Sequence, residues 1–431
     1  MHPFLSYHWH RLSTNLHRAR VRIHSDGYRA IASRLLDRGK PGGIPPATPE
    51  PLALTTTDGQ PRLLVVDSTT PRTDRDSGSL RAFNLMRLLR EEGYAVDFLP
   101  DDRIDAGRYT ADLRGIGVRV HCGQQAVSHP RWFSRQHQHY DAIVIARYHL
   151  AACWIPMVRR ITPGMRIVFD TVDLHHLREQ REAELQANDR LMRASMATRK
   201  RELGVISRAD VTWVVSPVER EKIWRHLPAA RIEIVPNLHL PGPQVHDYGN
   251  RHGMLFVGGG RHPPNVDAVR WLLKEIFPLI RKRLPACTLH IVGEGLETML
   301  ADTRGMRDGV VFHGHVPDLA PLLAGSRVGL APLRFGAGVK GKVNQYMAHG
   351  LPTVATACAS EGMHLVDGRD VAVANDVDAF AAMAVELHED PGLWARLSDY
   401  GLANVRNHFS FDAAREAVVS TFTGLHVDGK R

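Results

Sequence analysis

The chain has 431 residues, room for two or three domains at ~150 residues each, and its 43% hydrophobic and 23% charged content is globular rather than disordered. Lys plus Arg outnumber Asp plus Glu by 55 to 46, and the net charge of +9 permits an anionic partner without naming one. Four scattered cysteines (Cys122, Cys153, Cys287, Cys358) exclude a disulfide framework or zinc knuckle; with no secretory h-region and no apolar run of ~20 residues, a soluble, cytoplasmic protein is expected.

Residues 1–40 stand apart. Eight Lys or Arg face only Asp26 and Asp37 there, and Leu12, Leu16, Ala19 and Ile23 fall near helical spacing. An amphipathic basic helix follows, read either as a solvated, loosely packed extension or as a peripheral contact with anionic lipid, with Trp9, Leu12, Leu16 and Ile23 adding apolar insertion. Pro41 to Pro51 reads as an unstructured linker, so residues 1–58 form an extension ahead of the domains.

From residue 62 short apolar runs alternate with helical stretches: strands are predicted at 62–67, 95–100, 118–122, 141–146, 166–170 and 210–215. A Pro/Gly/His-rich segment at 236–253 interrupts the pattern. Strands resume at 254–259, 288–293, 310–314, 328–333 and 352–356. Runs apolar on both faces and separated by helices indicate parallel sheets covered on both sides. The expected fold is α/β, with two doubly wound Rossmann-like domains at 59–240 and 241–410 and a C-terminal helix and tail at 411–431. A ligand should lie between them at the carboxyl ends of the strands.

Three glycine-rich turns follow strands. Ser77-Gly78-Ser79 opens a helix, Gly258-Gly259-Gly260 precedes Pro263-Pro264, and Gly336, Gly338 and Gly341 alternate with Lys340 and Lys342. Exposed N–H groups at helix starts attract phosphate oxygens, and two lysines in such a turn suit a diphosphate. At the end of the fifth strand stand Asp170, Asp173, His175 and His176, where open α/β sheets keep their sites. Asp173 reads either as a helix N-cap or, with His175, as a polar pair facing substrate. Asp74-Arg75-Asp76 is a DxD tripeptide, assigned to loop structure or, through Asp76, to acceptor contact rather than to metal. The HxH pairs His8/His10 and His313/His315 lack further ligands, and no metal site is expected.

Assembled, these residues resemble the GT-B glycosyltransferases of the large retaining group called family 4. The likeness is clearest in FVGGG, HIVGEG (290–295), 310–333, GVKGKVNQYMAHGLPTVAT and 360–373, and looser in FDTVDLH and 209–220. It implies a nucleotide-sugar donor held by the second domain, a glycan or lipid-linked acceptor on the first, and no metal or other cofactor. By position, it implies that Gly338, Lys340 and Lys342 meet the donor diphosphate, with Arg261 and Gly259 on the facing turn. It places Gly314 to Val316 beside the base, Gly78 near the donor phosphate, and Asp173 and His175 near the transferred sugar. The group's E-x7-E signature is altered: Gln345 stands for the second glutamate and nothing stands for the first.

The leading expectation is a glycosyltransferase of surface polysaccharide or glycoconjugate synthesis, cytoplasmic or peripheral on the inner membrane. The alternative is a non-catalytic scaffold or binding protein in a polysaccharide assembly. Nucleic acid is not an expected partner, since no recognition module appears.

Overall fold

The computed structural model describes residues 3–37, 60–123, 127–243 and 247–425, with side chains of the first segment described over 6–25. The linker reading of Pro41 to Pro51 lies outside the described residues. Two parallel sheets account for the apolar runs. The first has seven strands in the order β3-β2-β1-β4-β5-β6-β7 and the second six, β10-β9-β8-β11-β12-β13.

In the first sheet the strands are β1 Arg62–Asp67, β2 Ala95–Pro100, β3 Arg119–Val120, β4 Ala142–Ala146, β5 Arg166–Asp170, β6 Val211–Val214 and β7 Ile232–Ile234. The second holds β8 His252–Val257, β9 Leu289–Val292, β10 Val310–Gly314, β11 Ser326–Ala331, β12 Thr353–Ala355 and β13 Ala372–Val373. β1 pairs with both β2 and β4, so its residues Leu63 to Val66 are buried on both faces and carry no polar alternation. Edge strands β7 and β13 have three and two residues, too short to register as apolar runs, and the sequence reading misses both.

Helix α1 (Pro3–Asp37) packs along α3 (Tyr148–Ile161) and α5 (Asp189–Ile206), so a loosely packed extension is the wrong description of it. Its buried side chains are Ser6, Tyr7, Thr14, His17 and Val21, whereas Leu12, Leu16 and Ala19 face outward and Ile23 is half-buried. The apolar stripe is thus mostly on the outer face, with Ile23 partly packed. Polar bonds decide this: His17 Nε2 lies 2.7 Å from Thr198 Oγ1, and Arg11 donates to Asp101 at 3.0 Å.

Two further helices frame the junction between the sheets. α2 (Ser77–Glu91) starts at the first glycine turn, with Asp76 as N-cap accepting from the Ser79 N–H at 2.8 Å. α8 (Phe411–Phe422) returns from the second unit to the first, where Phe411, Ala414, Val418 and Phe422 pack with Leu85 and Trp213. Among the described residues no helix is long and apolar enough to cross a membrane.

The junction is fixed from α2. Arg81, 2% exposed, donates to Asp170 at 2.5 Å and to the Val235 carbonyl at 2.9 Å, while Asn84 donates to the Leu238 carbonyl at 2.7 Å. Removing one partner of such a pair leaves an uncompensated buried charge. Arg81→Ala should therefore lower the unfolding free energy by about 3–5 kcal/mol, read from urea melts. A change below ~1 kcal/mol would show that water reaches Asp170 and that the pair does not hold the junction.

Candidate functional site

The carboxyl ends of β1, β4 and β5 build one wall. Asp67, at the end of β1, accepts from Arg147 Nε at 2.8 Å and from the Ser68 N–H at 2.6 Å. Arg147 and Val172 both adopt left-handed backbone, φ +68° and +64°, right after strand ends. Such geometry is costly for arginine and for β-branched valine, and it clusters where side chains must be aimed. Gly78 sits beneath Arg147: a Cβ there would come within 3.5 Å of the guanidinium and 3.2 Å of Asp76 Oδ1.

Asp173 follows the strained Val172. Its carboxylate binds Arg178 and lies 3.3 Å from His175 Nδ1. Burial works against ionisation, yet Arg178, then His175, hold the acid well below the usual carboxylate range. It is not the N-cap of α4 (His175–Leu185); Leu174 occupies that place without a side-chain bond. Instead the helix start is held by two buried glutamates. Glu202 accepts from the His175 and His176 N–H groups, both at 2.9 Å, and from His176 Nδ1 at 2.5 Å. Burial opposes its charge, but the two histidines pull it down to about 2. Glu219 accepts from Leu174 N–H at 3.1 Å, and burial, then Asp173, push it up to about 7.

The second wall comes from three turns of the other sheet. Turns 258–260 and 293–295 interlock backbone to backbone: a Cβ on Gly293 would lie 2.0 Å from the Gly258 carbonyl oxygen. Gly259 has open space at its Cβ position, as does Gly314, φ +64°. Val316 packs into a small cluster with Leu255 and Tyr346. Lys342 lies in the first turn of α7 (Gly341–Ala348), not in the loop, and Lys340 precedes that helix. Lys342 donates to Asn265 Oδ1 at 2.7 Å and sits 4.1 Å from the Phe256 ring centre; Lys340 donates to the Gly338 carbonyl at 2.6 Å. Neither has a carboxylate within 4.0 Å among the described residues. Burial and the neighbouring Lys340 lower Lys342 to about 7, and burial lowers Lys340 as well.

The walls touch. Gly341 rests on Ser77, where a Cβ would lie 2.2 Å from that side chain, and Gly338, φ +67°, rests on Asp173 at 3.1 Å. Charged pairs cross between the two units: Arg75 to Glu294 at 2.7 Å, Arg181 to Glu361 at 2.7 Å, and His315 to Asp74 at 3.2 Å. Gly78, Asp173, His175, Gly338, Lys340 and Lys342 are therefore brought together. Gln345 lies half-buried one turn beyond Lys342. Arg261 does not converge with the lysines: its side chain is 83% exposed and lies 3.9 Å from Glu294. Asp74 binds Arg108, accepts from Tyr109 at 2.8 Å and meets His315, Arg75 bonds Glu294, and Asp76 caps α2, so the tripeptide serves loop structure and contact between the two units.

Sequence reasoning missed Arg147, Arg178, Glu202, Glu219, His262 and Asn265. His262 precedes the helix that carries Asn265, and loss of solvent around it, then Arg178, lower its basicity against the pull of Asp173. Only Asn265, in the HPPN run after a glycine turn, carried a local signal.

Two parallel doubly wound sheets meeting at such a cleft define the GT-B fold of glycosyltransferases. Sucrose-phosphate synthase from Thermosynechococcus elongatus shares it at a TM-score of 0.66 and 15% identity, over 85% of this chain and 99% of that one. HepE from Anabaena, solved with UDP and glucose, aligns at 0.62 and 13% identity over 84% and 100%. A glycosyltransferase from Rickettsia africae aligns at 0.62 and 9% over 86% and 100%. Identities this low establish the fold alone. Residues 251–390, within the second unit, match the family model described as Glycosyl transferases group 1. An uncharacterized 44.6 kDa protein in the cps region of Klebsiella pneumoniae is 28% identical over 156 residues, 34% of this chain and 39% of that one. The match thus spans well under half of that relative's length.

A lysine near 7 gains a proton when an anion binds beside it. Affinity for a nucleoside diphosphate should fall as pH rises from about 7 to 9, approaching tenfold per unit, measured by calorimetry. Lys342→Gln should bind more weakly and lose that slope. A wild-type affinity flat across this range would take Lys342 out of the site.

Proposed function

We propose that this chain is a nucleotide-sugar-dependent glycosyltransferase, similar to the retaining family 4 enzymes. It passes a hexosyl or deoxyhexosyl group to a glycan or lipid-linked acceptor in surface polysaccharide or glycoconjugate synthesis. The observation that carries the reading is two lysines, Lys340 buried and Lys342 half-buried, without a carboxylate within 4.0 Å among the described residues, set at a helix start against Asp173 and His175. Buried cations of this kind are unfavourable until an anion arrives. A departing diphosphate is such an anion, and its charge grows in the transition state.

On this reading the residues take the roles that the resemblance implies. Lys340, Lys342 and the N–H groups opening α7 take the diphosphate, with Gly78 and Gly338 letting backbone approach it. Asn265 aims Lys342 and donates to the Gly259 carbonyl at 3.0 Å. Asp173, kept ionised by Arg178, accepts from a sugar hydroxyl and is a poor proton donor. His175 keeps Nδ1 toward Asp173, leaving Nε2 for another hydroxyl. Gln345 can bond the ribose in place of a glutamate, and Gly314 with Val316 borders the base. Gly259 and Arg261 stay at the cleft rim. With no protein nucleophile required, the acceptor hydroxyl attacks the anomeric carbon on the leaving-group face as the bond to the diphosphate breaks, and a phosphate oxygen takes its proton, which gives retention.

Donor entry requires the walls to part, because Gly341 and Gly338 close on Ser77 and Asp173. The enzyme is proposed to work in the cytoplasm, peripheral to the inner membrane, without metal. The test is release of nucleoside diphosphate on mixing with a panel of nucleotide sugars. Lys342→Ala should fold normally and turn over at least ~100-fold more slowly, and EDTA should leave wild-type activity intact. The substitution of glutamate by Gln345 favours the scaffold reading, which predicts donor binding with no release from any donor. Loss of activity to chelator, restored by manganese, would reassign Asp74 and Asp76.

A further inference from the structure

Helix α1 turns apolar side chains away from the molecule on which it is packed. Trp9, Leu12 and Leu16 are 58%, 61% and 57% exposed. Their spacing, three then four residues, puts them in one stripe along about two turns. The stripe is not the flank of a loose helix. Tyr7 at 2%, Thr14 at 2% and Val21 at 9% are buried on the opposite side, and the Asn188 side chain donates to the His24 carbonyl at 3.1 Å.

Cations surround the stripe. It lines an open groove of about 290 Å³ together with Arg20 and Arg201, and an adjoining concavity of about 370 Å³ adds Arg190 and Arg193 from α5. Arg20, Arg190 and Arg193 are exposed, and none has a carboxylate within 4.0 Å among the described residues. Between residues 6 and 25 there is no Asp or Glu, and Met196 adds a further apolar side chain, 56% exposed, on α5. An apolar stripe bordered by arginines matches the boundary layer of a bilayer, where acyl chains lie under anionic head groups. A protein partner would have to supply both an apolar ridge and a rim of acids.

We propose that the outer face of α1, with the adjoining arginines of α5, docks this protein on an anionic lipid bilayer. This specifies the peripheral-membrane part of the proposed function, and it names a composite surface on two helices rather than a basic arm. Trp9, Leu12 and Leu16 enter the head-group layer, while Arg20, Arg190, Arg193 and Arg201 pair with lipid phosphates. Ile23, half-buried against the molecule, does not insert.

Full-length protein is sedimented with phosphatidylcholine vesicles with and without phosphatidylglycerol, at low and high salt. Wild type should bind the anionic vesicles and be released by salt. Trp9→Ser/Leu12→Ser/Leu16→Ser should bind at least ~10-fold more weakly. Arg20→Glu/Arg190→Glu/Arg193→Glu should lose ~100-fold or more, at roughly fivefold per basic group near the surface. All six positions are on the outside, so thermal melts should match wild type. No binding by wild type, or equal binding by the apolar triple variant, would overturn the proposal. So would a concentration-dependent dimer, seen by light scattering, that the apolar variant abolishes, since the stripe would then be covered by a second copy. Nucleotide release plays no part in the readout, so this proposal and the enzymatic one fail separately.

Discussion

The buried pair between Arg81 and Asp170 is the constraint from which the cleft is built. Arg81 lies one turn beyond Gly78 on α2, and Asp170 ends β5 three residues before Asp173. The second arm of the guanidinium holds Val235, where the chain leaves the first sheet for the second. One side chain therefore fixes a glycine turn, the strand end that leads to Asp173 and the connection between the units. Such a pair adds little net stability over apolar side chains of the same volume, because both charges are desolvated. What it supplies is direction. Asp170 Oδ1 also accepts from the Val172 N–H at 3.2 Å, which helps hold that residue at positive φ and so aims Asp173.

The electrostatics of the two walls are deliberately unequal. On the first, Asp67 has Arg147 and Asp173 has Arg178, while Glu202 accepts from two histidines and Glu219 from backbone N–H groups. On the second, the lysines rest on a carbonyl, an amide oxygen and an aromatic face. These neutral acceptors orient an ammonium without cancelling its charge, so the surplus remains for an incoming anion. Crossing pairs such as Arg75 with Glu294 are partly exposed and contribute at most ~1 kcal/mol each. The closed arrangement is thus held by contacts cheap enough to exchange for a ligand.

How much could be read beforehand follows from the range of each signal. Central strands showed as apolar runs because burial on both faces removes alternation, and the three glycine turns showed because close backbone approach at Gly293 and Gly341 tolerates no side chain. Lys340 and Lys342 stood out as cations within such a turn. Arg147, Arg178 and Glu202 did not, since each looks like an ordinary helix or loop charge until the fold carries it to the strand ends. Glu202 is 27 residues from His175 in the chain and bonds its N–H directly. Nothing local in the sequence encodes that meeting.

Helix α1 shows the same limit from the other side. Periodicity finds an apolar stripe but does not say what it faces, and here the polar and aromatic side chains Tyr7, Arg11, Thr14 and His17 won the interior. They won because partners were waiting: Thr198 for His17, and Asp101 for Arg11. A hydrogen-bonded polar contact costs little to bury, so apolar character alone does not decide which face packs. Asp101 directly follows β2, at the same carboxyl edge of the sheet that carries Asp67 and Asp173. The inner face of α1 therefore borders the first wall of the cleft, and its outer face lies one helix diameter away, about 10 Å. A surface that held Trp9 and Leu16 would hold that wall of the cleft at the same depth, within reach of a head group but beyond the acyl chains.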